Sequence, residues 1–537
     1  MSVEKIRAFA EVIGSPLLWQ RWFNSKLGLV LFPLLLGVLA SLGFAPLEKW
    51  PLTLAGLSLM FFLMGGYQSK KAIFAAVLSF FTTLNAVTLW WLNFVMEGFG
   101  GMPMLLSNLV VILFSMYLAL PYALLSCLAN RFCQGKLPVL LLCFIPAAFV
   151  LSDFIISWLF GGFPWVYPGY TALQGPLSAF APLIGVRGIN LLFYLLAGVI
   201  ALTLKRQFIY LPAAGVIFIA GVFCSSLSFT TDDDKPLKVS LVQGNIMQSV
   251  KWRPEMVGPT ISTYWNLTEP LIAKDHLIIW PESAIPLYLE RAHGLVQDLN
   301  TVMHEQGSLL ITGLQHKNEE TNAAFNSLII LGQEESLSPV TAELNHYDKR
   351  KLVPFGEVVP FEEMLRPLGS IFNFPMSSFT PGAEKQQNIK AFGHELIPAI
   401  CYEAIFPELI NSLNAEESGA IVMLSNDSWF GTTSGPKQHL NIARMRCLEL
   451  QKPMLRATNS GITAFIDKQG QVTDAFPSDK AGVLRGSVHC ATGLTPYSRC
   501  GNIPLWVLTV LLVGLGVYYR GRDPDKQKQM LESLVRP

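Results

Sequence analysis

The stretch LSFTTDDDKPLKVSLVQGN, residues 227–245, marks the point at which this chain changes from a long apolar region to a charged, polar one. An apolar run with almost no charge, 208–227, ends at its first residue, and three aspartates and a lysine follow. The segment LKVSLVQGN, 237–245, then has the short, mostly apolar pattern of a β-strand bounded by a turn. The stretch therefore predicts two parts, a helical membrane domain before it and an α/β domain that starts within it.

The composition indicates that a large part of the chain lies in lipid. Of the 537 residues, 51% are hydrophobic and only 14% are charged, too few to cover a water-soluble protein of this length. The net charge of +1 gives no reason to expect a nucleic-acid partner. The eight cysteines are scattered, without the paired spacing of a zinc site, so we predict no metal and no cofactor.

Eight apolar stretches predict eight membrane spans, the eighth being separated from the others by a long polar region. Most approach the roughly 20 residues needed to cross the hydrocarbon core, and their flanks can complete the shorter ones. We place a transmembrane domain at 1–230, a soluble domain at 231–488, and a final span with its tail at 489–537. The eight stretches are 27–45, 51–67, 72–96, 104–129, 137–160, 189–204, 208–227 and 503–519.

Basic residues fall in alternate loops between these spans. Since Lys and Arg are enriched in cytoplasmic loops, the alternation predicts that both termini are cytoplasmic and that the soluble domain lies on the opposite side. The residues concerned are Lys5, Arg7, Arg21, Lys26, Lys70, Lys71, Arg131, Lys136, Lys205, Arg206, Arg520, Arg522, Lys526 and Lys528.

The loop GGFPWVYPGY, 161–170, has too much Gly and Pro for a spanning helix. Two interpretations of its aromatic residues remain open. Trp165, Tyr167 and Tyr170 suit an interfacial aromatic belt, or they form a wall of a lipid-access site beside the soluble domain.

The sequence pattern of the soluble domain predicts a layered α/β domain with a sheet buried on both faces. Helical patterns at 292–307 and 438–451 alternate with six predicted strands, namely 237–245, 276–282, 308–314, 326–332, 396–403 and 420–427. Three of these strands end in polar signatures, WPES, CYE and NDSWFG, and a fourth signature, HYDKRKLVPFGE, lies in a connection. Because reactive groups gather beyond the carboxyl ends of strands in α/β folds, Glu282, Lys349 and Cys401 are expected to converge.

Such a set of side chains supports acyl transfer through a thioester. Glu282, after the apolar LIIW, is expected to have a raised pKa and to act as the base for the Cys401 thiol. Lys349 would stabilise the oxyanion, and a helix starting after Cys401 would lower the pKa of the thiol. Taken singly, each residue has a plainer interpretation: Cys401 as a small buried hydrophobe, Glu282 as a surface carboxylate, and Lys349 as a solvated lysine.

The order of the motifs carries more weight than any single residue. WPES, DKRKLVPFGE and CYE resemble the Glu-Lys-Cys triad of the nitrilase superfamily, the carbon–nitrogen hydrolases. The membrane-embedded branch, the apolipoprotein N-acyltransferases, is more similar still, and it implies a nitrilase-like sandwich domain between spans seven and eight. The motifs that resemble this branch are VQGNIMQSVKW (242–252), KRKLVPFGEVVPFE (349–362), LSNDSWFG (424–431) and QHLNIARMRCLELQKPMLRATNSGITA (438–464).

The resemblance implies a role for each matching position. Cys401 would take an acyl chain from a membrane phospholipid and pass it to the N-terminal amine of a diacylglyceryl-cysteine on an apolipoprotein. Glu282 would be the general base and Lys349 the stabiliser of the tetrahedral intermediates, and Lys349 rather than Lys351 has the expected spacing to LVPFGE. Further positions are implied to support the site (Glu357, Tyr402, Glu403) or to bind substrate (Trp252, Trp429, Asn426, Trp165).

The same resemblance implies a monomeric enzyme of the bacterial inner membrane, with the catalytic domain periplasmic. Two other functions remain as alternatives: an amidase that uses water as acceptor, and a transporter or scaffold with an inactive soluble domain. The intact triad and the expected lack of buried charge in the spans disfavour the last.

His439 and Cys447 are expected to be packing or surface residues. A Cys490–Cys500 disulfide stays open, and the N-x-[ST] triplets at Asn266 and Asn426 are weak signals.

Overall fold

The computed structural model describes residues 25, 27–67, 69–318, 320–333, 345–358 and 379–521. Its helical part is built from apolar helices before residue 225 and one after residue 502. The first group is α1 (Gly28–Ser41), α2 (Trp50–Met64), α3 (Lys70–Thr88), α4 (Leu92–Gly98), α5 (Met104–Phe132), α6 (Ile145–Trp158), α7 (Ala181–Leu204) and α8 (Leu211–Cys224). The α/β part contains α9 (Gln248–Lys251), α10 (Val257–Thr268), α11 (Leu289–Glu305), α12 (Pro407–Ser412), α13 (Gly435–Leu450) and α14 (Pro496–Cys500), and it is followed by α15 (Ile503–Arg520).

An apolar helix occurs within each of the eight predicted spans. In the described part of the chain, five helical segments are long and apolar enough to cross a membrane, at 70–88, 104–132, 137–161, 176–204 and 503–520. The other three, α1, α2 and the segment 208–224, have 10–17 residues. At about 1.5 Å per residue, a helix of this length falls short of the roughly 30 Å hydrocarbon core. The basic residues predicted before the first span and in the tail, Lys5, Arg7, Arg21, Lys26, Arg522, Lys526 and Lys528, lie outside the described residues.

The expectation that the spans lack buried charge is wrong at Asp153. This carboxylate lies in α6 and is fully buried. It accepts hydrogen bonds from Tyr122, from Asn190 Nδ2 at 2.8 Å and from Tyr194 Oη at 3.0 Å. Because hydrogen-bond donors from two other helices, α5 and α7, surround it, Asp153 joins three helices rather than lining an open path.

The α/β part contains two six-stranded sheets, whereas the strand pattern alone indicated one sheet buried on both faces. The first sheet has the order β13-β2-β3-β4-β5-β6 and the second the order β12-β11-β10-β9-β8-β7, while β1 pairs only with β14. Each of the six predicted strands is present, and four of the eight strands that the sequence analysis missed lie in the second sheet. The strands are β1 (Thr231–Asp232), β2 (Leu237–Gln243), β3 (His276–Ile279), β4 (Leu309–Lys317), β5 (Ala324–Leu331), β6 (His346–Asp348), β7 (Ile389–Ala391), β8 (His394–Ile400), β9 (Ser418–Ser425), β10 (Met454–Thr458), β11 (Ala464–Ile466), β12 (Val472–Ala475), β13 (Gly482–Val488) and β14 (Ala491–Thr492).

The alternation of side chains explains how the sheets are buried. In the first sheet, Val239, Leu277 and Ile311 belong to the same hydrophobic cluster as Ile397 and Met423 of the second sheet. The neighbouring residues point to the opposite face, where they pack with the apolar side of α11 in a separate cluster. Both faces of the first sheet are therefore apolar, and this explains why its strands are continuous hydrophobic runs in the sequence.

Helix α13 connects the α/β part to the membrane helices. The side-chain carbonyl of Gln438 accepts hydrogen bonds from Trp91 Nε1 at 3.1 Å and from Trp165 Nε1 at 2.8 Å. Its amide donates to the backbone oxygen of Thr88, the last residue of α3, at 2.9 Å. Further along α13, Glu449 accepts from the backbone N–H of Val186 at 2.7 Å. One helix of the α/β part thereby contacts the ends of several membrane helices.

Candidate active site

The three predicted catalytic residues follow strands of both sheets. Glu282 lies three residues after β3 and Lys349 directly after β6, both in the first sheet, whereas Cys401 follows β8 in the second. The structure brings the three together, since Lys349 bonds Glu282 and both interact electrostatically with Cys401. The site therefore lies beyond the carboxyl ends of strands from both sheets.

Lys349 is the centre of the polar contacts in this site. Its side chain is 1% exposed, and its ammonium donates to Glu282 Oε1 at 3.1 Å and to Glu357 Oε1 at 2.9 Å. Burial alone lowers the pKa of Lys349, but Glu282, Glu357 and the Cys401 thiol together raise it above its ordinary value. Lys349 is thus held as a cation, the form that can stabilise a developing oxyanion. Lys351, its rival in the sequence, is exposed and lies 5.1 Å from the Phe406 ring.

Glu282 is buried after the apolar LIIW, but its carboxylate is held by polar side chains. Besides Lys349, its carboxylate accepts from Asn326 Nδ2 at 2.9 Å. The same amide donates to Glu357 Oε1 at 2.8 Å, so Asn326 and Lys349 both bridge the two carboxylates. The second oxygen of Glu357 accepts from the backbone N–H of Val353 at 2.8 Å and closes the turn after Lys349. Glu357 therefore positions the lysine and joins it to Glu282 through shared donors.

Cys401 begins a short 3₁₀ helix, Cys401–Ile405, and has a positive φ of 49°. Burial raises the pKa of the Cys401 thiol above its ordinary value; Glu282 raises it further, and Lys349 lowers it. The predicted lowering by a helix dipole is therefore wrong as the net effect, because desolvation outweighs the following single helical turn. The thiol is protonated in the resting site and needs a base to become a nucleophile.

Glu403 connects two segments of the site. One is the nucleophile loop, Cys401–Ile405, and the other is the lysine loop, residues 349–357. It is fully buried and accepts through Oε1 from Tyr347 Oη at 2.8 Å and from the backbone N–H of Arg350 at 2.7 Å. Its other oxygen accepts from the backbone N–H of Ile400 at 2.8 Å. Burial raises the pKa of Glu403, while these hydrogen bonds act in the opposite direction. Glu403 thus fixes the residues next to Lys349 and Cys401 relative to each other.

Tyr402 and the loop 161–170 are in direct contact. Tyr402 Oη donates to the backbone oxygen of Gly162 at 2.8 Å, and its ring lies 6.3 Å from that of Phe163. Trp165, Tyr167 and Tyr170 are at most 4% exposed, so an exposed interfacial belt is the wrong interpretation of these three residues. Trp165 stacks on His439 at 5.6 Å. The loop therefore lies against the nucleophile loop.

The other predicted substrate-binding residues lie on loops around these side chains. Trp252 is 45% exposed and follows Lys251, whose buried ammonium donates to the backbone oxygen of Glu282 at 3.1 Å. Burial lowers the pKa of Lys251 to about 8, although Glu282 acts to raise it. Trp429 is half-buried and packs 4.8 Å from the ring of Phe99, which follows α4.

Asn426 is buried and belongs to an amide network rather than to an open surface. Its Nδ2 donates to Gln248 Oε1 at 2.7 Å, and its Oδ1 accepts from Asn459 Nδ2 at 3.0 Å. The burial of its side chain also removes the weak glycosylation signal at this position. Asn426 therefore joins the loop after β9 to the loop that carries Trp252.

Several residues of the site were missed by sequence reasoning. Asn326 was visible only as the polar first residue of a predicted strand. His439 was expected to be a packing or surface residue, yet its Nε2 lies 3.1 Å from the backbone oxygen of Cys401. Cys447, on the same helix, is buried as a packing residue. Cys490 and Cys500 are both free thiols, so the open disulfide is not formed here.

Among the described residues, two groups could each offer a metal ion three ligand atoms within 4.8 Å of one another. They are Asp233, His394 and Cys490, and His316, His346 and Asp348. Neither group includes Glu282, Lys349 or Cys401. The triad itself supplies a thiol, a carboxylate and an ammonium, which together can carry out acyl transfer to and from the thiol.

Comparisons with known proteins agree with both parts of the chain. Residues 36–199 match the family described as Apolipoprotein N-acyltransferase N-terminal domain, and residues 238–492 match the carbon–nitrogen hydrolases. An apolipoprotein N-acyltransferase of Shewanella oneidensis is 37% identical over 95% of this chain and 98% of that protein. One of Vibrio cholerae is 36% identical over 90% of this chain and 96% of that protein.

Among solved structures, a carbon–nitrogen hydrolase superfamily protein of Xanthomonas campestris aligns with a TM-score of 0.35 and 18% identity, over 47% of this chain and 91% of that chain. The two family matches and the near full-length similarity at 36–37% identity cover the helical and the α/β parts alike. The chain therefore belongs to the apolipoprotein N-acyltransferase family, acyltransferases whose α/β part is a carbon–nitrogen hydrolase domain of the nitrilase superfamily.

Proposed function

We propose that this chain transfers an acyl chain from a membrane phospholipid to the N-terminal amine of the diacylglyceryl-cysteine of apolipoproteins, through a thioester on Cys401. The observation that carries the proposal is that the bonded pair Glu282 and Lys349 interacts electrostatically with Cys401, next to a contact with the loop 161–170 through Tyr402 and Gly162. A thiol so close to the membrane helices suits substrates with long acyl chains. Family relatives named for apolipoprotein N-acylation support the acceptor.

The first half-reaction forms the thioester. Glu282 takes the proton of the Cys401 thiol as the sulfur attacks the ester carbonyl of the phospholipid, and Lys349 stabilises the resulting oxyanion. When the tetrahedral intermediate collapses, the C–O bond breaks and Glu282 returns the proton to the leaving glycerol oxygen. The product of this half is a lysophospholipid.

The second half-reaction forms the amide. The neutral α-amine of the apolipoprotein attacks the thioester carbonyl, and Glu282 accepts a proton from the attacking nitrogen. The C–S bond then breaks, and the proton returns to the sulfur of Cys401. One cysteine thereby serves two lipid substrates in turn, which is a ping-pong scheme.

The membrane arrangement forms part of the proposal. We infer a monomer with eight spans in the bacterial inner membrane, a sandwich-like catalytic domain on the periplasmic side between residues 231 and 488, and cytoplasmic termini. The positions of the basic loops support this orientation. Lys205 Nζ lies 4.4 Å from the Phe62 ring near the end of α2, and Lys136 Nζ donates to the backbone oxygen of Tyr519 at 3.0 Å.

Labelled phospholipid tests the thioester. We expect purified protein to acquire label that hydroxylamine releases, and we expect Cys401→Ala to acquire none. Cys401→Ser is expected to lose acyl transfer or to hold label that resists hydroxylamine, because an oxygen ester replaces the thioester. Cys447→Ala is the matched control, since this cysteine is also fully buried but lies on α13, and it is expected to label like the wild type. Label that survives hydroxylamine in the wild type, or that persists in Cys401→Ala, would contradict the proposal.

A diacylated lipopeptide added to the labelled protein separates the alternatives. Transfer of the label to the peptide is the expected result. Release of the label to water alone would favour the amidase, and the absence of any protein label would favour a transporter or scaffold.

A further inference from the structure

An aspartate, a histidine and an arginine form a buried network next to the nucleophile. Asp427, His439 and Arg456 come from the loop after β9, from α13 and from β10, and each is at most 1% exposed. None of them is required by the two half-reactions above. Since buried charges are retained at a cost unless they are fully paired, their contacts indicate what they hold in place.

The contacts lead from the arginine to the backbone of Cys401. Arg456 Nη2 donates to Asp427 Oδ2 at 2.8 Å, and Asp427 Oδ1 lies 3.0 Å from His439 Nδ1. The other ring nitrogen, Nε2, lies 3.1 Å from the backbone oxygen of Cys401. Because a carbonyl oxygen can only accept, Nε2 carries a proton in this bond and donates it. Trp165 stacks on one side of the imidazole at 5.6 Å and fixes the plane of the ring.

A second hydrogen bond of the network involves a neighbour of the thiol. Asp427 Oδ1 accepts from Ser425 Oγ, in the last residue of β9, at 2.8 Å. Ser425 also lowers the pKa of the Cys401 thiol, against the larger raising effect of burial. Because the one hydroxyl proton of Ser425 is donated to Asp427 in this arrangement, a change at Asp427 alters what Ser425 can offer the sulfur.

The backbone of Cys401 explains why such support is needed. Its φ of 49° is in the left-handed region, which is unfavourable for a residue with a Cβ. A bond to its carbonyl from a ring that Asp427 contacts at Nδ1 and Trp165 stacks on holds this conformation. The turn after β8 then directs the sulfur toward Lys349 and Glu282 instead of relaxing into an extended strand end.

We propose that Asp427, His439 and Arg456 are positioning residues that hold Cys401 in the backbone conformation from which its thiol attacks. The role in acyl transfer rests on the proposed function, whereas the effect on the thiol does not. His439 is the member that contacts Cys401 directly. Asp427 and Arg456 act through it, and Asp427 also acts through Ser425.

Two substitutions of His439 test the proposal. His439→Leu removes the donor to Cys401, while His439→Gln keeps an amide N–H in reach of the same carbonyl. We expect His439→Leu to slow acyl-enzyme formation at saturating phospholipid by about tenfold or more, with little change in KM, because misplacement of a reacting group acts on the chemical step. His439→Gln is expected to recover most of this loss. Cys447→Ala, a buried substitution on the same helix, is expected to leave the rate unchanged.

A second measurement needs no lipid chemistry. The rate at which iodoacetamide alkylates Cys401, followed by mass spectrometry of its peptide, is expected to fall several-fold in His439→Leu and in Ser425→Ala, and to recover in His439→Gln. Ser425→Ala leaves the ion pair between Asp427 and Arg456 intact. It replaces His439→Leu in this measurement if that variant does not fold. Thermal unfolding is measured for each variant.

Wild-type alkylation and acylation rates in His439→Leu would overturn the proposal. Equal losses in the Gln and Leu variants, in step with their unfolding temperatures, would also overturn it and leave the network a purely structural role. If the wild type takes no acyl group from phospholipid, the proposed function fails, and the alkylation rates still decide whether the network positions Cys401.

Discussion

The charge around Cys401 determines how its thiol becomes reactive. Burial and Glu282 raise the pKa of Cys401, and Lys349 lowers it. At neutral pH the thiol is therefore protonated, and in the proposed mechanism the thiolate forms as Glu282 takes the proton. A cysteine of this kind differs from one whose low pKa makes it reactive without a substrate.

Glu282→Gln is expected to separate thiol acidity from catalysis. Loss of the negative charge lowers the pKa of Cys401, so iodoacetamide alkylation at a fixed pH becomes faster than in the wild type. Acyl-enzyme formation nevertheless falls by about 10²–10⁴-fold, because the base is gone. In the wild type the alkylation rate keeps rising as the pH passes 9.0, the ordinary value, since the pKa is raised above it. A wild-type plateau below pH 9, or slower alkylation in Glu282→Gln, would contradict this account.

Glu403→Gln tests the carboxylate that joins the two loops. An amide NH₂ in place of one oxygen cannot accept from the backbone N–H groups of Arg350 or Ile400. We expect a loss of about 1–3 kcal/mol in the free energy of unfolding, the usual effect of leaving a buried donor unpaired. Acyl-enzyme formation is expected to fall as well. Glu416→Gln is the matched control, since Glu416 is 64% exposed and its contact with Arg499 is 3.7 Å long. Equal stability of the two variants would contradict the role of Glu403.

Among the strands, β4 sets the position of Glu282. A Cβ on Gly313 would lie 2.6 Å from the backbone nitrogen of Ser283 and 2.8 Å from the Cα of Glu282. Only a residue without a side chain lets β4 approach the segment after β3 so closely. The glycine therefore belongs to the active site although it carries no reactive group.

Gly313→Ala is expected to lower acyl-enzyme formation by about tenfold or more, because the backbone that carries Glu282 must move, and small misplacements of catalytic groups are costly in rate. Gly294→Ala is the control, since nothing lies within 4 Å of a Cβ there. In the middle of α11 this change is expected to add roughly 0.5–1 kcal/mol of stability without affecting activity. Unchanged activity in Gly313→Ala would show that the strand does not set the position of Glu282.

What the sequence could predict at the level of elements depended on local pattern. The runs of β2 to β5, β8 and β9 were found because strands buried on both faces are apolar throughout. The strand β10 was missed because Arg456 interrupts its pattern, and its burial depends on Asp427, which no local pattern reveals. His439 was undervalued for the same reason. Its partner Cys401 lies 38 residues away, and only the parallel pairing of β8 with β9 brings the two together.

The molecule as a whole has two chemically different ends. The α/β part contacts Thr88 at the end of α3, while Lys70 and Lys71 lie at the start of the same helix. Atoms of Leu137 and Lys205 both lie within 3 Å of the position that a Cβ on Gly65 would take, so these basic loops meet at the far end. By the positive-inside rule, these basic residues support the proposal that this end faces the cytoplasm.

Labelling of introduced cysteines tests this orientation in a background that carries Cys500→Ser, since Cys500 is an exposed free thiol. Lys480→Cys lies in the α/β part and Lys71→Cys at the start of α3, and both positions are exposed. A membrane-impermeant maleimide added to spheroplasts is expected to label Lys480→Cys at once, and Lys71→Cys only after lysis. The opposite pattern would place the α/β part in the cytoplasm, where the proposed lipoprotein acceptor would have to be met before export. Labelling of both positions before lysis would mean that the spheroplasts leak, so a cytoplasmic enzyme retained inside them serves as the control.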